Sequence, residues 1–269
     1  MKLLNGRELS GFIKERQAHQ VRGLRQAAGV QPKLAIIRTN PDPVVDSYMK
    51  LKQEYGADIL VEVEVHTIDQ SEALSRIAEL NADQSVHGII VQIPLPNTDQ
   101  TTEILNAVAA EKDVDGLAEK TNFDPATPVA INWLLAGYNI NLAGKHIVVV
   151  GHGRLVGKPL VRMWRASGYD VQVLDRKVQD LADATRQADI LVCATGAAGL
   201  ITADMVRGDA VIVDAGVATD KNGLVGDVDP SVRELQDITI TPEKGGVGPL
   251  TVCALFENVI LAARRTTEQ

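Results

Sequence analysis

Six short aliphatic runs constrain this chain most: KLAIIR from Lys33 to Arg38, GIIVQI from Gly88 to Ile93, HIVVV from His146 to Val150, VQVL from Val171 to Leu174, ILVCA from Ile190 to Ala194 and AVIVD from Ala210 to Asp214. Each is closed by Gly, Pro, Asn, Asp or Thr, and the stretches between them read as helix or turn. A continuous apolar run suits a strand covered on both faces, and strands alternating with helices imply a mostly parallel sheet. With only 3% aromatic residues, the core is expected to be aliphatic.

Around these runs the sequence predicts a charged helix over 8–28. A second helix is capped by Asp42, enters at Pro43 and stops at Gly56. A strand over 59–65 follows, then a helix from Ser71 to about Leu80 and a short helix near 99–110. The same grammar restarts with a helix over 128–138 and another from about Val156. A short strand is expected near 238–241 and a last helix over 249–265. The join between the two α/β units is expected near 117–128, where Asn122, Asp124, Pro125, Thr127 and Pro128 cluster. A length of 269 residues suits two ordinary domains.

The formal net charge of -8 excludes broad electrostatic binding of nucleic acid. Two cysteines, Cys193 and Cys253, fit a reducing compartment rather than a disulfide scaffold. No apolar run approaches the ~18 residues of a membrane span, and the N-terminus turns polar too early for a secretory signal, so a cytoplasmic protein without membrane contact is expected. The five histidines are scattered, no Cys/His cluster has zinc spacing, and no metal is implied. Trp133 and Trp164 are expected in core helices.

HIVVV runs into Gly151-x-Gly153-x-x-x-Gly157 and opens a helix. In a Rossmann unit such glycines allow a tight turn and close approach of a diphosphate to a helix N-terminus. The same pattern also suits a plain strand-to-helix turn. Asp175 lies 24 positions after Gly151, where an acidic residue would bind a ribose 2′-hydroxyl. Arg176 and Lys177 follow at once and suit a 2′-phosphate, so the residues alone leave NAD and NADP open. Thr195-Gly196 and Asp214-Ala-Gly216-Val217 also lie at carboxyl ends of predicted strands, where ligands bind in open α/β sheets.

Four stretches, VQIPLP (91–96), KDVDG (112–116), GHGRLVGKP (151–159) and TPEKGGVGPLT (241–251), together resemble the bifunctional methylenetetrahydrofolate dehydrogenase/methenyltetrahydrofolate cyclohydrolase (FolD) family. The similarity covers about residues 30–265. It implies an α/β folate-binding and catalytic domain from residues 1–120 plus 249–269, completed by the C-terminal helix. It implies a Rossmann-type NAD(P)-binding domain over 121–248, with a cleft between the two. The implied activity oxidises 5,10-methylenetetrahydrofolate to 5,10-methenyltetrahydrofolate and hydrolyses it to 10-formyltetrahydrofolate. The implied cofactor is NADP, with NAD as the alternative. The implied partner is the folate substrate, in a cytoplasmic homodimer.

The family's Tyr-x-x-x-Lys falls on Tyr48 and Lys52 when counted from Leu34. Their i,i+4 spacing puts both on one helix face. Counted backward from Gly56, the helix is about one turn short and the pair would be Val44 and Tyr48. The resemblance makes Lys52 the proton carrier of the hydrolytic step and has Tyr48 stack on the folate ring. Gln92, a polar residue at the end of a buried strand, would hydrogen-bond near the lysine. Asp115 would accept hydrogen bonds from the pterin, while Asp113 reads as part of an acidic turn. Gly246, Gly248 and Pro249 would let backbone approach the substrate just before the last helix.

The nucleotide would be held by Gly151, His152, Gly153, Asp175, Arg176, Thr195, Gly196 and Val217. Here the sequence departs from the family. Gly153 replaces a serine, His152 an arginine, and Asp175-Arg176 a His-Ser pair. Ala197-Ala198 replaces Lys-Pro, and a hairpin between Gly116 and Pro128 is mostly missing. These departures keep three alternatives in view: a dehydrogenase alone, an NAD-specific variant, or a non-catalytic folate- or nucleotide-binding homologue.

Overall fold

The structure, a computed structural model, describes residues 1–41, 43–220 and 223–268. The capping role expected of Asp42 lies outside the described residues. The elements run β1 (Lys2–Leu3), α1 (Gly6–Ala28), β2 (Lys33–Arg38), α2 (Pro43–Asp58), β3 (Glu62–Thr67), α3 (Ala73–Ala82), β4 (Gly88–Val91) and α4 (Thr101–Asn106). They continue with α5 (Ala126–Gly137), β5 (Ile147–Val150), α6 (Gly157–Ala166), β6 (Val171–Leu174), α7 (Leu181–Arg186), β7 (Ile190–Cys193), β8 (Val211–Asp214), β9 (Ala218–Asp220), β10 (Gly223–Val225), β11 (Thr239–Ile240) and α8 (Val247–Arg265). By contact the chain divides into two compact units, one of residues 1–10 and 127–251, the other of 11–126 and 252–269.

The unit of residues 11–126 and 252–269 holds a three-stranded parallel sheet in the order β3-β2-β4. Alternate residues of β2 and β4, Ala35, Ile37, Ile89 and Val91, pack with Ile77 and Leu80 of α3 and Ile104 and Leu105 of α4. Both strands are buried on both faces, which is why they read as unbroken apolar runs. The last helix is long and apolar enough by composition to cross a membrane, which corrects the reading that no run approaches that length. Most of it is buried inside the protein. Phe256 stacks on Tyr55 at 5.1 Å, and Gln17 donates to Cys253 O at 2.8 Å.

Two boundaries in this unit differ from expectation for one reason. Gly56 does not stop α2. It sits inside the helix because its hydrogen faces Val63 and Phe256, where a Cβ would come within 2.5 Å of the Val63 side chain. The helix ends instead in a Schellman motif, with Val61 N–H donating to Gly56 O at 2.8 Å and Leu60 N–H to Ala57 O at 3.2 Å. Leu60 takes the left-handed conformation, φ 66°, that glycine usually supplies. The apolar residues 59–61 therefore cap a helix, and β3 begins only at Glu62. Since Gly56 marks no helix end, the backward count from it has no structural basis.

The unit of residues 1–10 and 127–251 holds a six-stranded, wholly parallel sheet in the order β1-β11-β8-β7-β5-β6. The strand order reverses between β6-β5 and β7, so the crevice at the carboxyl ends of β5 and β7 is the topological switch point. One face of the sheet buries Val148, Val150, Leu191, Cys193, Ile212 and Ile240. Trp164 is fully buried and donates to Asn132 Oδ1 at 2.6 Å, whereas Trp133 is half-buried. Residues 1–10, expected with the folate-binding domain, fall in this unit. Leu4 N–H donates to Ile240 O at 2.9 Å, so β1 adds an edge strand here. Short strands β9 and β10 form a separate antiparallel pair that sequence periodicity did not announce.

Candidate active site

In the first unit described, three segments bring functional side chains together. Helix α2 carries Tyr48 and Lys52 one turn apart. Gln92 follows β4, extending it by donating its backbone N–H to Ile37 O at 2.9 Å, and precedes a cis Ile93–Pro94 bond. The segment 112–116 supplies Asp115. Lys52 Nζ donates to Gln92 Oε1 at 2.9 Å. Burial pushes the Lys52 ammonium below the ordinary lysine range, and the Asp115 carboxylate pulls the other way. Burial raises the Asp115 pKa while Lys52 lowers it. Tyr48 is half-buried, and burial raises its hydroxyl pKa, so it stays protonated as a donor. The structure thus places Lys52 against Gln92 and within the field of Asp115.

The segment 112–116 is anchored by its own Lys112 and Asp113, the latter in the turn that the sequence suggested. Lys112 is buried and its Nζ donates to Leu80 O, Asn81 O and Asp83 O at 3.0, 2.9 and 2.6 Å. These are carbonyls at the C-terminus of α3, which lack helical partners and carry the negative end of the dipole. Asp113 accepts from Ala118 N–H at 3.0 Å and Leu117 N–H at 3.4 Å, closing the turn. Gly116 has φ 68° and meets Pro125 so closely that a Cβ would lie 2.8 Å from its nitrogen. Asn258 of α8 donates to Val114 O at 2.9 Å. Replacing Lys112 with Met should cost about 2–3 kcal/mol, since a buried charged donor to three carbonyls is lost. Urea unfolding of the pair measures this. A cost under about 1 kcal/mol would mean that water serves the carbonyls equally well.

In the other unit the glycine loop joins β5 to α6. Gly151 has φ 97°, and a Cβ there would lie 2.4 Å from Ala194 O. A Cβ on Gly157 would lie 1.9 Å from Gly151 O. Both positions therefore exclude side chains. Gly153 is different: nothing lies within 4 Å of its missing Cβ, and His152 and Gly153 are exposed. The loop is a shallow cradle with free space at its crest, which fits an approaching diphosphate. At the next strand end, Asp175 Oδ1 accepts from Lys177 N–H at 2.8 Å, so this carboxylate is engaged in its own turn. Arg176 and Lys177 are exposed beside it. Thr195 and Gly196 follow β7, with Gly196 at φ 70°, and Val217, 55% exposed, follows β8.

The structure brings Gly151, Gly153, Thr195, Gly196 and Val217 to the carboxyl ends of neighbouring strands. It corrects the setting of Gly248 and Pro249. The last helix begins at Val247, so both stand in its first turn rather than before it. Proline is tolerated there because that N–H has no helical partner. Gly246 precedes the helix, and its carbonyl is met at 1.8 Å by an ideal Cβ built on Gly6. Sequence reasoning missed Asp227, whose fully buried carboxylate accepts from Thr195 N–H at 2.5 Å. Its only sequence signal is the Gly226-Asp227 pair. Among the described residues no group of three or more His, Cys, Asp or Glu could hold a metal ion.

Comparison with known proteins adds to this geometry. The family described as tetrahydrofolate dehydrogenase/cyclohydrolase, catalytic domain, matches residues 4–115. Its NAD(P)-binding domain matches residues 125–267. The bifunctional protein FolD of Desulforamulus reducens is 38% identical, over 96% of this chain and 95% of that protein. The crystal structure of the bifunctional FolD dehydrogenase/cyclohydrolase from Campylobacter jejuni superposes with a TM-score of 0.93 at 35% identity, covering 99% of both chains. The Trypanosoma brucei dehydrogenase-cyclohydrolase, solved with NADP and an inhibitor, gives 0.92 at 27% identity over 99% of this chain and 98% of that one.

Proposed function

The chain belongs to the tetrahydrofolate dehydrogenase/cyclohydrolase family, and from that premise we propose how its side chains divide two reactions. It is a bifunctional enzyme of one-carbon folate metabolism. It oxidises 5,10-methylenetetrahydrofolate to the 5,10-methenyl cation with a nicotinamide dinucleotide, and hydrolyses that cation to 10-formyltetrahydrofolate. When bound, the nicotinamide accepts the hydride.

The observation that carries the assignment of roles is the Lys52–Gln92 contact at 2.9 Å. Water adds to the methenyl carbon only as it loses a proton. Lys52, its ammonium destabilised by burial, takes that proton as a neutral amine. The bound cation disfavours the ammonium further. The protonated lysine then returns the proton to N5 as the bond from N5 to the one-carbon unit breaks. The hydroxyl proton leaves to solvent and the formyl group stays on N10. Gln92 Oε1 holds the lysine in line, Asp115 accepts from pterin N–H groups, and Tyr48 lies over the ring. This arrangement favours both activities over a dehydrogenase alone or a non-catalytic homologue. Gly246, Gly248 and Pro249 are assigned to the approach of substrate.

The nucleotide is assigned to Gly151, His152, Gly153, Asp175, Arg176, Thr195, Gly196 and Val217, and the preferred dinucleotide is NADP. The engaged Asp175 carboxylate and the exposed Arg176 guanidinium support a 2′-phosphate, as does the NADP bound to the Trypanosoma relative. Arg176→Ala should raise the KM for NADP about tenfold, the weight of one charge-assisted contact, and leave the KM for NAD unchanged. An equal effect on both cofactors would reject the phosphate assignment. We assign the enzyme to the cytoplasm as a homodimer, on family resemblance.

The defining experiment mixes protein, methylenetetrahydrofolate and either NADP or NAD, following reduced nicotinamide and methenyl absorbance separately. Reduction of the cofactor with clearance of the methenyl species is expected. Binding of both ligands without turnover would overturn the assignment.

A further inference from the structure

Beneath the strand ends that carry Thr195-Gly196 and Gly216-Val217, two aspartates interlock with two glycines. Asp214 Oδ1 accepts from Gly216 N–H at 3.1 Å and Asp227 N–H at 3.0 Å, and its Oδ2 accepts from Val228 N–H at 3.1 Å. Its own N–H donates to the buried Thr241 hydroxyl at 3.0 Å. Asp227 Oδ2 accepts from Thr195 N–H at 2.5 Å. Each carboxylate occupies the place of a missing side chain. An ideal Cβ on Gly216 would lie 2.0 Å from Asp227 Oδ1, and one on Gly226 would lie 2.0 Å from Asp214 Oδ2.

This clasp joins three backbone segments, 195–196, 214–217 and 226–228, through carboxylates rather than a sheet ladder. It is a costly choice. Asp227 is fully buried, and its Oδ1 meets no hydrogen-bond donor among the described residues. An acceptor left dry in this way loses stability that an apolar residue would keep. Folds retain such costs mainly where geometry serves function. What the clasp fixes is the position of Thr195 and the turn leading to Val217.

We propose that Asp214 and Asp227 are positioning residues for the dinucleotide, locking the loops after β7 and β8 into one platform. The inference rests on the assignment of Thr195, Gly196 and Val217 to the nucleotide. Neither aspartate touches the ligand. Asp227 sets where the Thr195-Gly196 backbone stands, and Asp214 ties that loop to the turn at Gly216.

The test uses the full-length enzyme with NADP and, separately, with the methenyl substrate alone, whose hydrolysis needs no dinucleotide. Asp227→Asn keeps the shape and removes the charge. It should raise the KM for NADP about tenfold, with kcat of oxidation and methenyl hydrolysis within about twofold. Asp227→Ala should raise it further. Gly216→Ala should match Asp227→Ala, because its methyl would expel the same carboxylate, and the Gly216 backbone lies outside the left-handed region that would itself bar alanine. The double variant should be no worse than either single one, a non-additivity expected only of parts of one device.

Additive effects, an unchanged KM for NADP, or a parallel fall of hydrolysis would overturn the proposal. Val217→Glu, on an exposed side chain, tests the underlying assignment. If it raises the KM for NADP and the Asp227 variants do not, the clasp alone is refuted. If it has no effect, the platform assignment fails and the proposal fails with it.

Discussion

Lys52→Met is expected to cut hydrolysis of the methenyl substrate by at least about 100-fold, the usual weight of one acid-base group, while hydride transfer to NADP stays within about tenfold. The asymmetry follows from what each reaction asks of the lysine. Oxidation moves a hydride and no proton, so Lys52 only lines the substrate there. Hydrolysis must take a proton from water, and the neutral amine held 2.9 Å from Gln92 Oε1 is positioned to take it.

The pH dependence has a definite sign. The active form is the deprotonated amine, so hydrolysis rises with pH through the Lys52 pKa, which burial sets below the ordinary lysine range. That rising limb should vanish in Lys52→Met. Lys52→Arg separates proton transfer from mere charge, because a guanidinium keeps its proton throughout this range. Stopped-flow decay of methenyl absorbance in the three proteins measures the effect. Hydrolysis preserved in Lys52→Arg would refute the proton role and leave only electrostatic support.

The second large effect runs the opposite way. Gly157→Ala should lower kcat/KM for NADP at least about 50-fold and leave methenyl hydrolysis within about threefold. A methyl at this position would lie 1.9 Å from Gly151 O, a backbone atom that cannot rotate aside. Gly151 is itself held by its N–H to Leu174 O at 2.8 Å and pressed against Ala194 O. The cradle must therefore deform by more than an ångström at the helix terminus that would receive the diphosphate. Gly153→Ala is the control, because its Cβ would meet nothing within 4 Å. Its effect should be small without ligand and should appear only as the KM for NADP. If Gly157→Ala binds NADP normally by calorimetry, the loop is not the diphosphate cradle.

Much of the fold was legible because each of the six aliphatic runs does one job. Runs such as IVVV at Ile147–Val150 are buried on both faces, and only a parallel sheet covered by helices meets that demand. Legibility failed where a residue type stood in for another. Leu60 performs a glycine's task at the end of α2, so no stop signal was written there and the apolar residues after it imitated a strand. The pairing of Lys2-Leu3 with Thr239-Ile240 is a contact over more than two hundred residues, which no local pattern records.

The site divides the same way. The spacing of Tyr48 and Lys52 is a property of one helix and could be counted. The Lys112 anchor and the Asp227 clasp depend on carbonyls and N–H groups supplied by other elements, and sequence carries no mark of those. Asp113 could be read as a turn residue, yet only the three carbonyl partners of Lys112 show that this lysine anchors the same motif.

Each compact unit is assembled from two stretches distant in the polypeptide, the first ten residues joining 127–251 and the last eighteen joining 11–126. A nascent chain emerging N-terminus first cannot finish either unit early. Lys2 and Leu3 must wait for residues 239–240 to complete their edge, and the sheet built by 33–91 waits longer still for α8. Neither core can close until its distant segment has been made, so closure comes late relative to the synthesis of residues 1–126. Loss of the helical turns from 252 to 265 would strip the earliest-made core of the helix that covers it.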